Sequence, residues 1–313
     1  MPNRAGMERL RGSGKVMMRF SSGTVFDYYR WLLVTWRFVM SPEFRAAING
    51  VSLPVDRPGL EIEVCATTHQ LSQIFERIRD SWTRLGIDRP HYSVLTCDEF
   101  LPQTIDDSVD QFWVSGDLEV TIIEAVLRRC GFGGPAGRTC IEYGCGLGRV
   151  TIPLAARFGV VHAYDISPTH LSLAQKRAAE RGVSNIDFHC CSSGVLNPLP
   201  ECDFFYSRLV FQHNPPPVIR ELIRIALQSL RIGGVAAFGV PTYLPGYRFL
   251  VEDYLASPRK LGMELHCIPQ SEVFALIADA GCALIEVCEE RSVNPSDGRM
   301  SNLFIARRPL PRS

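Results

Sequence analysis

The stretch Thr139-Cys140-Ile141-Glu142-Tyr143-Gly144-Cys145-Gly146-Leu147-Gly148-Arg149-Val150-Thr151 constrains this chain more than any other part of it. It reads as a buried strand, a glycine loop and a helix start in immediate succession, the arrangement that binds nucleotide-like ligands at the carboxyl edge of an open α/β sheet. Three glycines at alternate positions allow a tight turn and a close backbone approach to a ligand, and Glu142 sets a carboxylate beside them. A dinucleotide fingerprint opening at Gly144 and Gly146 requires a third glycine at position 149. That residue is Arg149, and the glycine comes one place early, at Gly148, so the pattern is E-x-G-x-G-x-G.

Val160-Val161-His162-Ala163-Tyr164-Asp165 reads as a second strand ending in a carboxylate, 17 residues after Gly148, where an acid can hold both hydroxyls of a ribose. Between the two, Val150, Ile152, Leu154, Ala155 and Phe158 supply the apolar face of a short helix. Strand, glycine loop, helix, strand and acid form one βαβ half-unit. The alternation continues downstream. Ser167 and Pro168 cap and open a helix to about Arg181, stopped by Gly182. Strands are expected at 186–189, 202–207 and 235–240, a helix opening at Pro215-Pro216-Pro217, a last helix over 272–280, and final strands at 283–287 and 302–306. Upstream, Leu71, Ile74, Phe75, Ile78, Trp82 and Leu85 share one helical face that ends at Gly86. Asp88 to Gly116 reads as ordered loop, and Asp117 as the cap of a helix through Arg129.

The E-x-G-x-G-x-G pattern resembles the first motif of class I S-adenosylmethionine-dependent methyltransferases. Leu230-Arg231-Ile232-Gly233-Gly234 resembles the family's L-x-P-G-G turn, with isoleucine for proline, and Asp203 to His213 resembles its F-D-x-V...Q-H segment, with Cys202 for the first aromatic. The resemblance runs from about residue 117 to 308. It implies a Rossmann-like doubly wound α/β fold, a seven-stranded sheet with a reversed final strand, and S-adenosyl-L-methionine as cofactor. By the same resemblance the Gly144, Gly146 and Gly148 loop holds the methionine end, Asp165 the ribose, and Ile166 lies against the adenine. Glu142 and Ser207 complete the expected cofactor-binding set. Many relatives carry an acid after the third strand; here the residues are Cys190-Cys191-Ser192-Ser193, and the Ser192 hydroxyl or a backbone carbonyl is expected to substitute.

Methyl transfer from a sulfonium is an in-line displacement that depends on positioning and desolvation. A hydroxyl acceptor gains from a general base, and His213, just beyond the fourth strand, is the expected catalytic residue; the alternative is that it packs on the helix at Pro215. Pro241 to Pro269, with Tyr243, Tyr247 and His266, is the expected seat of acceptor specificity. Trp113, Ser115 and Gly116 read equally as a cover over the cofactor or as structural residues. The expected acceptor is a small molecule, through a hydroxyl of a sugar or secondary metabolite. A nucleic-acid-modifying enzyme and a non-catalytic cofactor-binding scaffold are the competing readings. Asn214-Pro215-Pro216-Pro217 lacks the aromatic residue with which N-P-P-aromatic enzymes stack a flipped base, and no nucleic-acid partner is expected.

Lysine and arginine number 33, as do aspartate and glutamate, so no global field draws the chain to nucleic acid, although the first 50 residues hold eight basic against three acidic residues. Eleven cysteines, an odd total with no C-x-x-C pair, read as reduced thiols in a cytoplasmic protein without a metal site. The apolar run Trp31 to Met40 is short of the roughly 20 residues a spanning helix needs. Peripheral membrane contact through 28–40 stands beside packing on the protein body, which is favoured. The expected organisation is a disordered or processed start over 1–24, a helical extension or lid over 25–116, and a cofactor-binding domain over 117–313.

Overall fold

The chain divides into two units, Met1–Pro58 and Gly59–Ser313, and the computed structural model describes residues 59–191, 197–259, 261–290 and 298–311. The expectations for 1–24 and 28–40, and for Ser192, lie outside the described residues.

A short strand, β1 (Glu61–Ile62), leads into α1 (Thr68–Asp88). Helix α1 starts where the Gln70 N–H donates to Thr67 Oγ1 at 3.2 Å and the Thr67 N–H donates to Gln70 Oε1 at 2.9 Å, a reciprocal cap that satisfies two exposed donors. After α2 (Pro90–Val94) and a 3₁₀ turn at Asp98–Phe100 comes α3 (Ile105–Arg129). The expected loop to Gly116 is thus largely helical, and α3 begins twelve residues before the expected cap at Asp117. The reason is tertiary packing. Phe112 is fully buried with Phe100 and Leu147, and Gly116 sits inside the helix because a Cβ there would lie 1.9 Å from the Arg149 carbonyl oxygen. Acids in its first turn, Asp106 and Asp107, and Arg128 and Arg129 in its last complement the helix dipole.

The βαβ half-unit forms as read: β2 (Thr139–Tyr143), α4 (Thr151–Ala155), β3 (Val160–Asp165), then α5 (Pro168–Glu180) capped by Ser167, and β4 (Ile186–Cys190). Strand β5 (Cys202–Ser207) and α6 (Pro216–Gln228) follow, with α6 opening on prolines. Strand β6 (Leu230–Tyr243) is longer than expected. Gly233 takes φ +80° and the register slips between Cys202 and Phe204, so the glycine pair is carried within the strand. After β7 (Arg248–Phe249), α7 (Val251–Ala256) and α8 (Gln270–Asp279), the strands β8 (Ala283–Glu289) and β9 (Met300–Arg307) close the sheet.

The seven strands run in the order β4-β3-β2-β5-β6-β9-β8, with β9 antiparallel to both its neighbours and the other pairings parallel. The order reverses between β2 and β5, which places the glycine loop at the switch point where ligands of open α/β sheets bind. Strands β2, β5 and β6 are covered on both faces. Ile141, Phe205 and Phe238 join α1, α6 and α8 in one core, while Cys140, Phe204 and Val235 join α3 and α4 in the other. Each such large apolar side chain contributes about 1.5–3 kcal/mol on burial. Among the described residues no helix is long and apolar enough to cross a membrane.

Candidate active site

The glycine loop has the backbone its composition implies: φ is +82° at Gly144, +53° at Gly146 and +79° at Gly148. Protein side chains, in addition, crowd these positions. A Cβ on Gly144 would lie 2.2 Å from Val210 Cγ2, and one on Gly146 would lie 2.6 Å from Val94 Cγ2. The N–H groups of Gly144 and Cys145 both donate to the Tyr164 carbonyl, at 2.7 and 2.9 Å, and so bind the loop to the end of β3. Asp165 closes the arrangement: its Oδ2 accepts the Gly146 N–H at 2.7 Å and its Oδ1 the Ser167 N–H at 2.8 Å. Each oxygen keeps a further lone pair for a ligand hydroxyl.

A cleft opens over this loop. Tyr143 to Gly146, Asp165, Ile166 and Cys191 line it from the sheet edge; Phe75, Ile78 and Trp82 of α1 and Ser93 and Val94 of α2 line it from the N-terminal helices. Three of the six residues of the helical face read from the sequence therefore line the cleft, while Ile74 and Leu71 join the core. Glu142, Gly144, Gly146, Asp165 and Ile166 meet here as expected. Gly148 is absent from the lining and packs on Ala174, 3.3 Å from a built Cβ. Ser207 is also absent, because its hydroxyl donates to the Tyr143 carbonyl at 2.8 Å and ties β5 to β2.

His213 lies next door, beside a small cavity that shares Ile78 and Trp82 with the cleft. Its ring centroid is 5.0 Å from that of Trp82. Nδ1 is 2.8 Å from the Glu264 carbonyl oxygen, which can only accept, so Nδ1 carries the proton and Nε2 presents its lone pair, 3.3 Å from Gln212 Nε2. Desolvation lowers this imidazole to about 4 against the opposing pull of that carbonyl. Tyr247 and His266 bond to each other at 2.7 Å away from the cleft lining. Trp113 holds Arg177 over its ring at 4.7 Å, Ser115 accepts from Arg149 at 3.3 Å, and neither lines the cleft.

The polar end of the cleft escaped the sequence reading. Glu119 on α3 receives Arg149 at 2.7 Å, Arg208 at 3.0 Å and the Tyr206 hydroxyl, and Arg208 also reaches Glu290 at 2.8 Å. Burial alone would raise the Glu119 carboxyl, but Arg149, Arg208 and Tyr206 hold it below the ordinary carboxylate range. Glu142 behaves oppositely: burial pushes it up to about 8, although Thr151 donates to its Oε2 at 2.5 Å. The signal available was position, since Arg149 follows Gly148 directly and Arg208 follows Ser207 directly. Leu209, next in line, has φ +61°, the one positive value at a non-glycine among the described residues, and it separates Arg208 in the ion cluster from Val210 over Gly144. All eleven cysteines are free thiols, and no group of three or more potential metal ligands occurs among the described residues.

No curated protein sequence matches this chain. Among solved structures it is similar to magnesium protoporphyrin IX methyltransferase from Synechocystis PCC 6803 with bound SAH, at 18% identity and a TM-score of 0.52, over 75% of this chain and 99% of that one. The same enzyme with bound SAM aligns at 18% identity and a TM-score of 0.50, over 79% of this chain and 99% of that one. A family model described as a methyltransferase domain matches residues 140–234. Because that match begins in β2 and ends at Gly234, it takes in the glycine loop, Asp165 and the carboxyl end of β5 together, and residues 140–234 are a methyltransferase domain of the S-adenosylmethionine-dependent kind.

Proposed function

We propose that this enzyme methylates a hydroxyl of a small-molecule acceptor, a sugar or other secondary metabolite, in the cytoplasm. The observation that supports this is the lining of the cleft, with the glycine loop on one side and Phe75, Ile78 and Trp82 on another. Concave, largely apolar sites with a few polar groups suit small molecules. The zero formal charge gives no comparable support to a nucleic-acid acceptor.

The residues at the loop fit S-adenosylmethionine chemically. Glu142 is a buried carboxyl held near 8, which an ammonium group beside it would return to its charged form, and Asp165 has acceptor capacity for ribose hydroxyls. When bound, the cofactor supplies an electrophilic methyl on a sulfonium. The chain positions the acceptor: the α1 side chains exclude water, and the Glu119–Arg208 end offers the fixed charges that orient a polar group. His213 is the base of this proposal, reached by an acceptor hydroxyl that extends past Trp82 to Nε2.

Calorimetric titration with S-adenosylhomocysteine, beside Asp165→Ala and a parallel titration with NAD, tests the donor site. Micromolar binding lost in the variant and none to NAD is the expected result. Label transfer from S-adenosylmethionine to a panel of hydroxylated small molecules and to RNA then tests the acceptor, and transfer to RNA alone would overturn the reading.

A further inference from the structure

We infer that His170 is a positioning residue of the donor site, tying the α2 segment through Ser93 to the Asp165 carboxylate. This rests on the reading of Asp165 as a donor-site residue. His170 Nε2 is 2.9 Å from Ser93 Oγ, and His170 Nδ1 is 3.6 Å from Asp165 Oδ1. Ser93 lies on α2, Asp165 ends β3, and His170 stands in the first turn of α5. All three side chains line the cleft, and all three residues are buried, with His170 only 1% exposed. The fit is tight from the other side as well: a Cβ on Gly86, near the end of α1, would lie 2.2 Å from Ser167 Oγ and 3.4 Å from His170 Nε2.

The hydroxyl of Ser93 has one proton and two acceptors within reach, the Pro90 carbonyl at 2.9 Å and His170 Nε2. When Ser93 donates to Pro90, His170 must donate from Nε2, and a neutral ring then turns the Nδ1 lone pair to Asp165. When Ser93 donates to His170, Nδ1 carries the proton and faces the carboxylate. The second arrangement points an N–H at the carboxylate that ribose hydroxyls would meet. One proton in α2 thus decides whether Asp165 is supported or opposed. At 3.6 Å the Nδ1–Asp165 contact exceeds hydrogen-bond length, so it acts electrostatically, while Gly146 and Ser167 fix the carboxylate by direct bonds.

The test uses the full chain, calorimetry with S-adenosylhomocysteine, and hydrogen exchange across residues 90–94 with and without that ligand. In the wild type the ligand slows exchange over 90–94. Ser93→Ala is expected to lower affinity about tenfold, the worth of one hydrogen bond to a charged partner's support, and to uncouple exchange at 90–94 from ligand binding. His170→Leu loses more, and His170→Gln, which keeps a donor and an acceptor, recovers part. Folded Ser93→Ala that binds like wild type with ligand-dependent protection intact overturns the inference, and this variant decides the matter even where His170→Leu fails to fold. Failure of the wild type to bind is a different result: it removes the donor-site reading itself, and this inference with it.

Discussion

Arg149 Nη2 donates to Glu119 Oε2 at 2.7 Å, and both side chains are less than a tenth exposed. The bond joins the residue that follows the glycine motif to the helix before it, and Arg208 shares the same carboxylate oxygen.

Removing one member of such a buried pair leaves a charge without compensation, a loss of about 3–5 kcal/mol. Glu119→Gln and, to a smaller degree, Arg149→Met are therefore expected to unfold at lower urea than wild type. Glu119→Gln should lose more than Arg149→Met, because an amide has one acceptor oxygen where Glu119 uses two, Oε2 for the arginines and Oε1 for Tyr206, and Arg149 loses this counter-ion, whereas Arg149→Met leaves Glu119 paired with Arg208. Equal losses in the two variants would argue that packing around the guanidinium, and not its charge, carries the stability.

Glu142 gives the apo enzyme a definite pH dependence. Its folded-state value, about 8, lies above the ordinary 4.5, so between those values the unfolded chain ionises and the folded one stays protonated. Stability from this group is complete below pH 4.5, falls as pH rises through the window, and levels off above about 8. Denaturation midpoints across pH 5–8 should fall in wild type and flatten in Glu142→Gln, with that variant the more stable at the alkaline end.

Binding of S-adenosylhomocysteine near pH 7 is expected to release a proton as its ammonium group pairs with Glu142. Titrations in buffers of different ionisation enthalpy measure this directly. The apparent binding enthalpy should vary with buffer in wild type and not in Glu142→Gln.

His213 supplies the fourth prediction. An imidazole held at about 4 is already neutral throughout the physiological range, so as the base it puts the acid limb of the rate profile near pH 4 and no limb near the ordinary histidine value. His213→Ala should reduce turnover while leaving S-adenosylhomocysteine affinity unchanged. A profile that rises through pH 6.5 would take the role away from His213.

What could be read from the sequence was what is local. Ser167, Pro168 and Gly182 bracket α5, and the glycine spacing at 144–148 fixes the loop, because caps and positive φ angles are properties of a few neighbouring residues. Helix α3 was misread for a related reason: Gly116 is a helix breaker by its own preference, and only the Arg149 backbone 33 residues later makes glycine necessary there. Glu119, Arg208 and Glu290 belong to separate elements, as do Ser93 and His170, 77 positions apart. No periodicity connects such pairs; the fold must bring them together first.

The packing of Val210 and Val94 onto the glycine loop bears on how such a chain would age. Gly144 and Gly146 are demanded by neighbouring valines whether or not a methyl group is ever transferred, so a lineage that lost its activity would keep them as a fossil of the fold. Glu142 has no such protection. Its buried carboxyl opposes folding at neutral pH, and selection for stability alone would discard it, which makes that one acid, more than the glycines around it, the sign of an enzyme still in service.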